Sequence, residues 1–143
     1  GKILEKGRLN YSLNGLECLP GEFFKGNAFE YLAWAKKREK LFDIIVLDPP
    51  SFARFKGFSF NVQRDLDSLV EASAAVLASD GFLMVSSNYS AFRLENFAQK
   101  ALNNVKKICG NAQIIWKRSQ SADFVGTGLT KDSSLCAVLI QNL

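Results

Sequence analysis

Apolar positions along this chain switch between two rhythms, and the switching predicts helices and strands in turn. Ile3 to Leu13 fits a helix, with Asn14-Gly15 as its C-terminal stop. A short strand is expected at Glu22 to Lys25. Asn27 then precedes a helical run with Phe29, Leu32 and Ala35 on one face, and Asn27 with Glu30 three residues on has the form of a capping pair. The strongest strand signal is Ile44-Ile45-Val46-Leu47. Four apolar residues without alternation predict a strand buried on both faces, as in the centre of a parallel sheet. Asp48-Pro49-Pro50 ends it, because proline cannot continue a central strand.

A loop is expected from Ser51 to Asn61. Val62, Leu66, Leu69, Val70, Val76 and Leu77 then recur at helical spacing. Ser79-Asp80-Gly81 reads as a turn and Phe82 to Val85 as a second buried strand. Leu94, Phe97, Ala98, Ala101, Leu102, Val105 and Ile108 form one apolar stripe, closed by Gly110-Asn111. Two last strands, Gln113 to Lys117 and Leu135 to Ile140, flank a polar loop that contains Gly126-Thr127-Gly128. No repeat, low-complexity tract or linker interrupts the pattern, so residues 1–143 read as one domain. Alternating strands and helices predict an α/β fold with a largely parallel sheet.

Composition narrows the chemistry. The chain has no histidine, which excludes Ser-His-Asp and Cys-His mechanisms and imidazole proton shuttles. Cys18, Cys109 and Cys136 are far apart and form no CxxC pair, so small core residues are expected rather than a disulfide framework or a zinc site. No apolar run approaches the ~20 residues of a membrane span, and the mixed N-terminus is unlike a secretory signal. A soluble, cytoplasmic protein without a membrane partner is the expectation. The net charge of +4 suits a polyanionic partner without requiring one. Met84 is the only methionine, so the chain is expected to start inside a longer reading frame or to carry a processing or cloning residue at Gly1.

In an open α/β sheet, ligands bind beyond the carboxyl ends of the strands. Two such ends stand out, Asp48-Pro49-Pro50-Ser51-Phe52 and Ser86-Ser87-Asn88, and they meet at one mouth if their strands are neighbours. The stretch Phe52 to Phe58 interleaves aromatics with Arg54 and Lys56, a composition suited to stacking bases and neutralising phosphates. A surface loop whose aromatics fold onto the domain explains it equally well. Arg64 either touches phosphate or pairs with Asp67 or Glu71.

The segment LDPPSFARFKGFSFNVQRDLDSL, with LMVSSNYSAF after it, resembles bacterial 23S rRNA methyltransferases, the group that contains cytosine-C5 and guanine-N7 enzymes. FNVQRD and SSN are closer to the guanine-N7 branch, and the resemblance runs from about Ile3 to Leu143. It implies a class I S-adenosylmethionine-dependent methyltransferase acting on RNA. The implied fold is a Rossmann-like methyltransferase fold, with a mostly parallel sheet and a final antiparallel strand. The first two strands are missing, so the chain corresponds to the C-terminal part of the catalytic domain. Transfer from a sulfonium is an in-line displacement, so positioning supplies most of what the protein contributes.

By the same resemblance, Asp48, Pro49 and Pro50 border donor and acceptor and Phe52 stacks on the target base; the alternative is that Asp48 only hydrogen-bonds the turn and Phe52 only packs in the core. Asn27 and Ala28 meet the adenine of the cofactor, with Asn27 where Asp is usual; a plain helix cap is the alternative. Ser87 stands where C5 relatives carry a nucleophilic cysteine, which disfavours that route and favours a nitrogen acceptor. Asn88 meets the base edge or caps the next helix. The glycine-rich turn of the first strand is missing, so the chain alone is expected to bind the cofactor weakly or not at all and to be inactive. In the family's sheet order, 3-2-1-4-5-7-6, the Ile44 strand lies beside the missing first strand. It is therefore expected to form an exposed apolar edge, covered by a second copy, by the Glu22 strand or by a swapped element. A non-catalytic RNA-binding or assembly module that keeps the fold is the alternative to an enzyme.

Overall fold

A computed structural model of the chain describes residues 1–19, 21–55, 57–120 and 135–143. Lys56 and the Gly126-Thr127-Gly128 loop lie outside the described residues. The elements are α1 (Lys2–Leu13), α2 (Ala28–Lys37), β1 (Phe42–Leu47), β2 (Phe52–Phe55), β3 (Phe58–Asn61), α3 (Val62–Ala74), β4 (Leu77–Ser87), α4 (Leu94–Cys109), β5 (Ala112–Ser119) and β6 (Cys136–Asn142).

Four strands form the main sheet in the order β1-β4-β6-β5. β1 runs parallel to β4, while β6 lies antiparallel to both β4 and β5. Three strands therefore point one way, and the last strand of the chain runs against them from between β4 and β5. This is the mixed α/β sheet that the sequence implies.

Several boundaries differ from the expectation. Residues 22–25 form no strand, and the stretch from Ser51 to Asn61 is a β-hairpin rather than a loop, with Phe52 paired to Asn61 and Phe55 to Phe58. Gly57 supplies the positive φ, 83°, that its turn needs. Val76 and Leu77 leave the helical stripe because α3 ends at Ala74, and Leu77 already belongs to β4. Ser79-Asp80-Gly81 lies within β4 as an irregularity: Phe42 pairs with Leu77, but Ile44 pairs with Phe82. Asp80 takes a φ of 61° there. A side chain at Gly81 would stand 2.9 Å from the Ala78 carbonyl, so glycine suits this close approach.

The sheet has two unlike faces. Register places Ile45, Leu83 and Ile140 on one face with Leu47, Val85 and Val138. Leu83, Val85, Val138 and Ile140 are fully buried there, in one core with Leu66, Leu69 and Val70 of α3 and Phe97, Ala101 and Val105 of α4. The opposite face carries Ile44, Val46, Phe82, Met84, Leu139 and Trp116. Ile44 is 67% exposed and Val46 59%, and the other four are half-buried. The expectation that β1 is buried on both faces therefore fails for Ile44 and Val46, because no described helix packs over them. The exposed apolar edge expected of this strand is present, and no strand from residues 22–25 covers it. α1 has no buried residue and leaves Ile3, Leu9 and Leu13 open. Its contacts run to Phe23, through the Tyr11 ring and the Arg8 guanidinium.

Cys136 and Cys109 pack in or against the core as expected, whereas Cys18 is half-buried among exposed residues and is no core residue. All three are free, Cys136 is buried, and burial pushes the thiols of Cys109 and Cys136 up, away from nucleophile chemistry. Among the described residues no cluster of side chains is suited to a metal ion, and no helix is long and apolar enough to cross a membrane.

Candidate active-site mouth

Because β1 and β4 are parallel neighbours, their carboxyl ends emerge side by side, with Leu47 level with Val85. The two motif ends meet as expected. The Ser86 hydroxyl donates to Asp48 Oδ1 at 2.7 Å and approaches the Leu47 carbonyl at 3.4 Å. Ser51 donates to Asn88 Oδ1 at 3.3 Å. Asp48 is thus oriented by a buried serine from the next strand, while its own residue stays exposed.

Beside this junction lies a cavity of about 380 Å³, lined by Gly26, Asn27, Ala28, Asp48, Pro49 and Pro50 on its polar and rigid side. Phe29, Phe58, Phe60, Ala53 and Leu69 form its apolar wall together with Val46 and Leu47. Segments twenty residues apart in sequence converge because α2 begins where β1 ends. Asn27 is the N-cap of α2, its Oδ1 accepting from the Phe29 amide at 3.0 Å, and it lines the cavity at the same time. The cap reading of Asn27 is therefore observed, and the residue borders the cavity as well. The two prolines lack amide hydrogens and fix φ, so this wall is stiff before any ligand arrives.

The cavity is a largely apolar slot whose lining also carries an amide and a carboxylate. Such a slot suits a ring system that carries polar groups on one edge. An anionic carboxylate also favours a cationic sulfonium over a neutral thioether.

Other sequence candidates fall elsewhere. Phe52 lies outside the cavity lining; strand alternation turns it with Arg54 to the other side of the hairpin from Ala53. Its ring is 52% exposed, with the Arg54 guanidinium 5.2 Å from its centre. The aromatic rings that face the slot are instead Phe29, Phe58 and Phe60. Arg64 bonds neither Asp67 nor Glu71: it pairs with Asp65 at 2.8 Å and donates to the Ser59 carbonyl, bracing α3 against the hairpin. This pairing raises the Arg64 pKa, and it lowers that of Asp65, which also accepts from the Asn61 amide. Ser87 is 1% exposed and accepts from the Tyr89 amide, so its hydroxyl belongs to a turn and not to the mouth. Asn88 is exposed at the mouth and does not cap α4, whose N-cap is Arg93.

Phe60 and Phe29 are the site residues that sequence reasoning missed, and it named Ser86 and Phe58 only as members of their segments. For Ser86 a signal existed, since only one of two adjacent serines on a strand can face a given side. Choosing between them needed the register.

No protein-family profile matches the chain. It is 34% identical to ribosomal RNA large subunit methyltransferase K of Neisseria meningitidis, over 73% of this chain and 30% of that protein. It is 37% identical to ribosomal RNA large subunit methyltransferase K/L of Psychrobacter arcticus, over 64% of this chain and 12% of that protein. The chain therefore spans less than a third of these relatives. Among solved structures, a methyltransferase in complex with SAH superposes with a TM-score of 0.72 at 23% identity, covering 93% of this chain and 34% of its own. A SAM-dependent methyltransferase from Agrobacterium tumefaciens superposes with a TM-score of 0.70 at 17% identity, covering 99% of this chain and 46% of its own. These likenesses establish the fold.

Proposed function

We propose that this chain, which is homologous to a stretch of the bacterial large-subunit ribosomal RNA methyltransferases, is part of the catalytic domain of an S-adenosylmethionine-dependent RNA methyltransferase. The observation that carries the reading is the convergence of Gly26-Asn27-Ala28 with Asp48-Pro49-Pro50 on one cavity at the carboxyl ends of parallel strands. Asn27 and Ala28 would hold the adenine ring, with Phe29 against it. S-adenosylmethionine supplies the transferable methyl group when bound. Asp48, held by Ser86, would stand beside the junction of donor and acceptor, and the prolines would keep the acceptor base in line. Phe52 and Arg54, on the outer side of the hairpin, would meet RNA next to the target base, and Asn88 would meet a base edge. A nitrogen acceptor is favoured, since Ser87 stands where the resemblance puts the nucleophilic cysteine of C5 enzymes and is a buried serine. A cytoplasmic location belongs to the same proposal. The open face and edge of β1 would be covered by a second copy of the chain.

The test is transfer of a labelled methyl group from S-adenosylmethionine to large-subunit RNA, assayed in the full polypeptide that the gene encodes. Incorporation that Asp48→Ala lowers at least tenfold is the expected result. Incorporation unchanged by Asp48→Ala would contradict the role of the mouth. The exposed Phe52 beneath Arg54 favours a second reading, a non-catalytic RNA-binding module. RNA binding without incorporation at any cofactor concentration would select it.

A further inference from the structure

A second concavity lies outside the mouth, in the groove between α3 and α4. Its volume is about 240 Å³, enough for one nucleobase. The floor is apolar and firm: Val62, Leu66, Val70, Phe97 and Ala101 are all buried, and the half-buried ring of Phe92 stands at one end, packed on Tyr89 and Phe97. The walls are polar. Lys100 and Asn104 both reach Asp67, at 2.7 and 3.0 Å, which satisfies the carboxylate within the groove. Gln63 on α3 and Asn96 on α4 are exposed, and their side-chain amides have no partner among the described residues.

An apolar floor beneath an aromatic ring, with unpartnered amides on facing walls, matches how unstacked bases are read: faces on apolar surface, edges by groups that both donate and accept. The groove also adjoins the mouth. Val62, in its floor, donates its amide to the Ser51 carbonyl at 3.0 Å, and Ser51 bridges to Asn88. A strand of RNA that delivers one nucleotide to Asp48 would cross this bridge and reach the groove with a neighbouring nucleotide.

We propose that the α3–α4 groove binds a flanking nucleobase of single-stranded RNA, with Gln63 and Asn96 contacting its edge and Phe92 its face. The inference rests on the RNA reading above and extends it to a second base. It predicts context dependence of the target, set at a position that the mouth does not touch.

The experiment is fluorescence anisotropy with labelled single-stranded RNA of about twelve mixed-sequence nucleotides. It compares the wild type with the groove double variant Gln63→Ala/Asn96→Ala and with Phe52→Ala on the outer side of the hairpin beside the mouth, the mouth variant. Circular dichroism controls folding, and the altered positions are surface ones. The expected result is roughly five- to tenfold weaker binding in the groove variant, a similar loss at the mouth, and no competition by inorganic phosphate at matched ionic strength. If only the mouth variant weakens binding, the groove inference falls and the function stands. If only the groove variant does, the groove stands and Phe52 loses its role. If phosphate competes fully, or the wild type binds no RNA, the groove is not a base site.

Discussion

The two faces of the central sheet have almost the same composition and opposite fates. On one, Leu83, Val85, Val138 and Ile140 are sealed under α3 and α4; on the other, Ile44 and Val46 stand in solvent beside half-buried Phe82, Met84, Leu139 and Trp116. Residue type alone does not separate these sets. What separates them is whether an amphipathic helix lies above, and the described chain provides such helices for one face only. A continuous apolar run therefore marks a place in a sheet that can be buried twice, and a second layer has to be supplied before it is.

The largest expected effect tests the sealed face. Leu83→Ala should cost about 2–5 kcal/mol of stability, because the surroundings cannot collapse around the missing atoms. Ile44→Ala, on the open face, should shift stability by less than about 1 kcal/mol. Urea denaturation of both variants checks the contrast, and equal losses would break it. Next, the open face and edge should drive self-association. Light scattering should show oligomers of the wild type at high concentration and a monomer for Ile44→Lys/Val46→Lys. An unchanged wild-type monomer would show that the face tolerates water.

Smaller effects sharpen the picture at the helix ends. Asn27→Ala should cost about 1 kcal/mol through the lost cap of α2, measured by thermal unfolding, and should also weaken any adenosyl ligand in the cavity. The smallest concerns Asp65. Arg64 first, then the Asn61 amide, hold its carboxyl below the ordinary range. Its contribution to stability is therefore present above the unfolded-state value of about 3.9 and is lost as pH falls through the lower folded value. Asp65→Asn should flatten the acid limb of the stability profile in that window, and the effect should be slight because the pair is exposed.

Much of this architecture is legible in the sequence. The stripes of α3 and α4 appear at helical spacing because each buries one side on the sheet, and the Asp48-Pro49-Pro50 stop marks the end of β1 in plain residues. The meeting of Asp48 with the Ser86–Asn88 segment follows from one assumption, that the two strands are neighbours. The hairpin of β2 and β3 was hidden because Phe-Ala-Arg-Phe and Phe-Ser-Phe-Asn read as a cation-aromatic loop until cross-strand pairing is known. Its register decides that Phe58 and Phe60, not Phe52, face the cavity. Ser86 and Ser87 differ only in the face they occupy, and Arg64 chose its neighbour Asp65 over partners one and two turns away. Residues 22–25 show the converse: a strand pattern without a described partner strand stays irregular.

The central claim is that the cavity joining the start of α2 to the end of β1 holds the adenosyl group. Titration of S-adenosylhomocysteine into the isotope-labelled chain, followed by amide NMR, tests it most directly, since weak binding still moves resonances. The expected result is a set of concentration-dependent shifts confined to the amides that line the cavity, residues 26–29, 46–48, 53, 58, 60 and 69, and abolished by Asn27→Ala/Asp48→Ala. Shifts confined to the α3–α4 groove, or none at millimolar ligand in either this chain or the full polypeptide that the gene encodes, would contradict it.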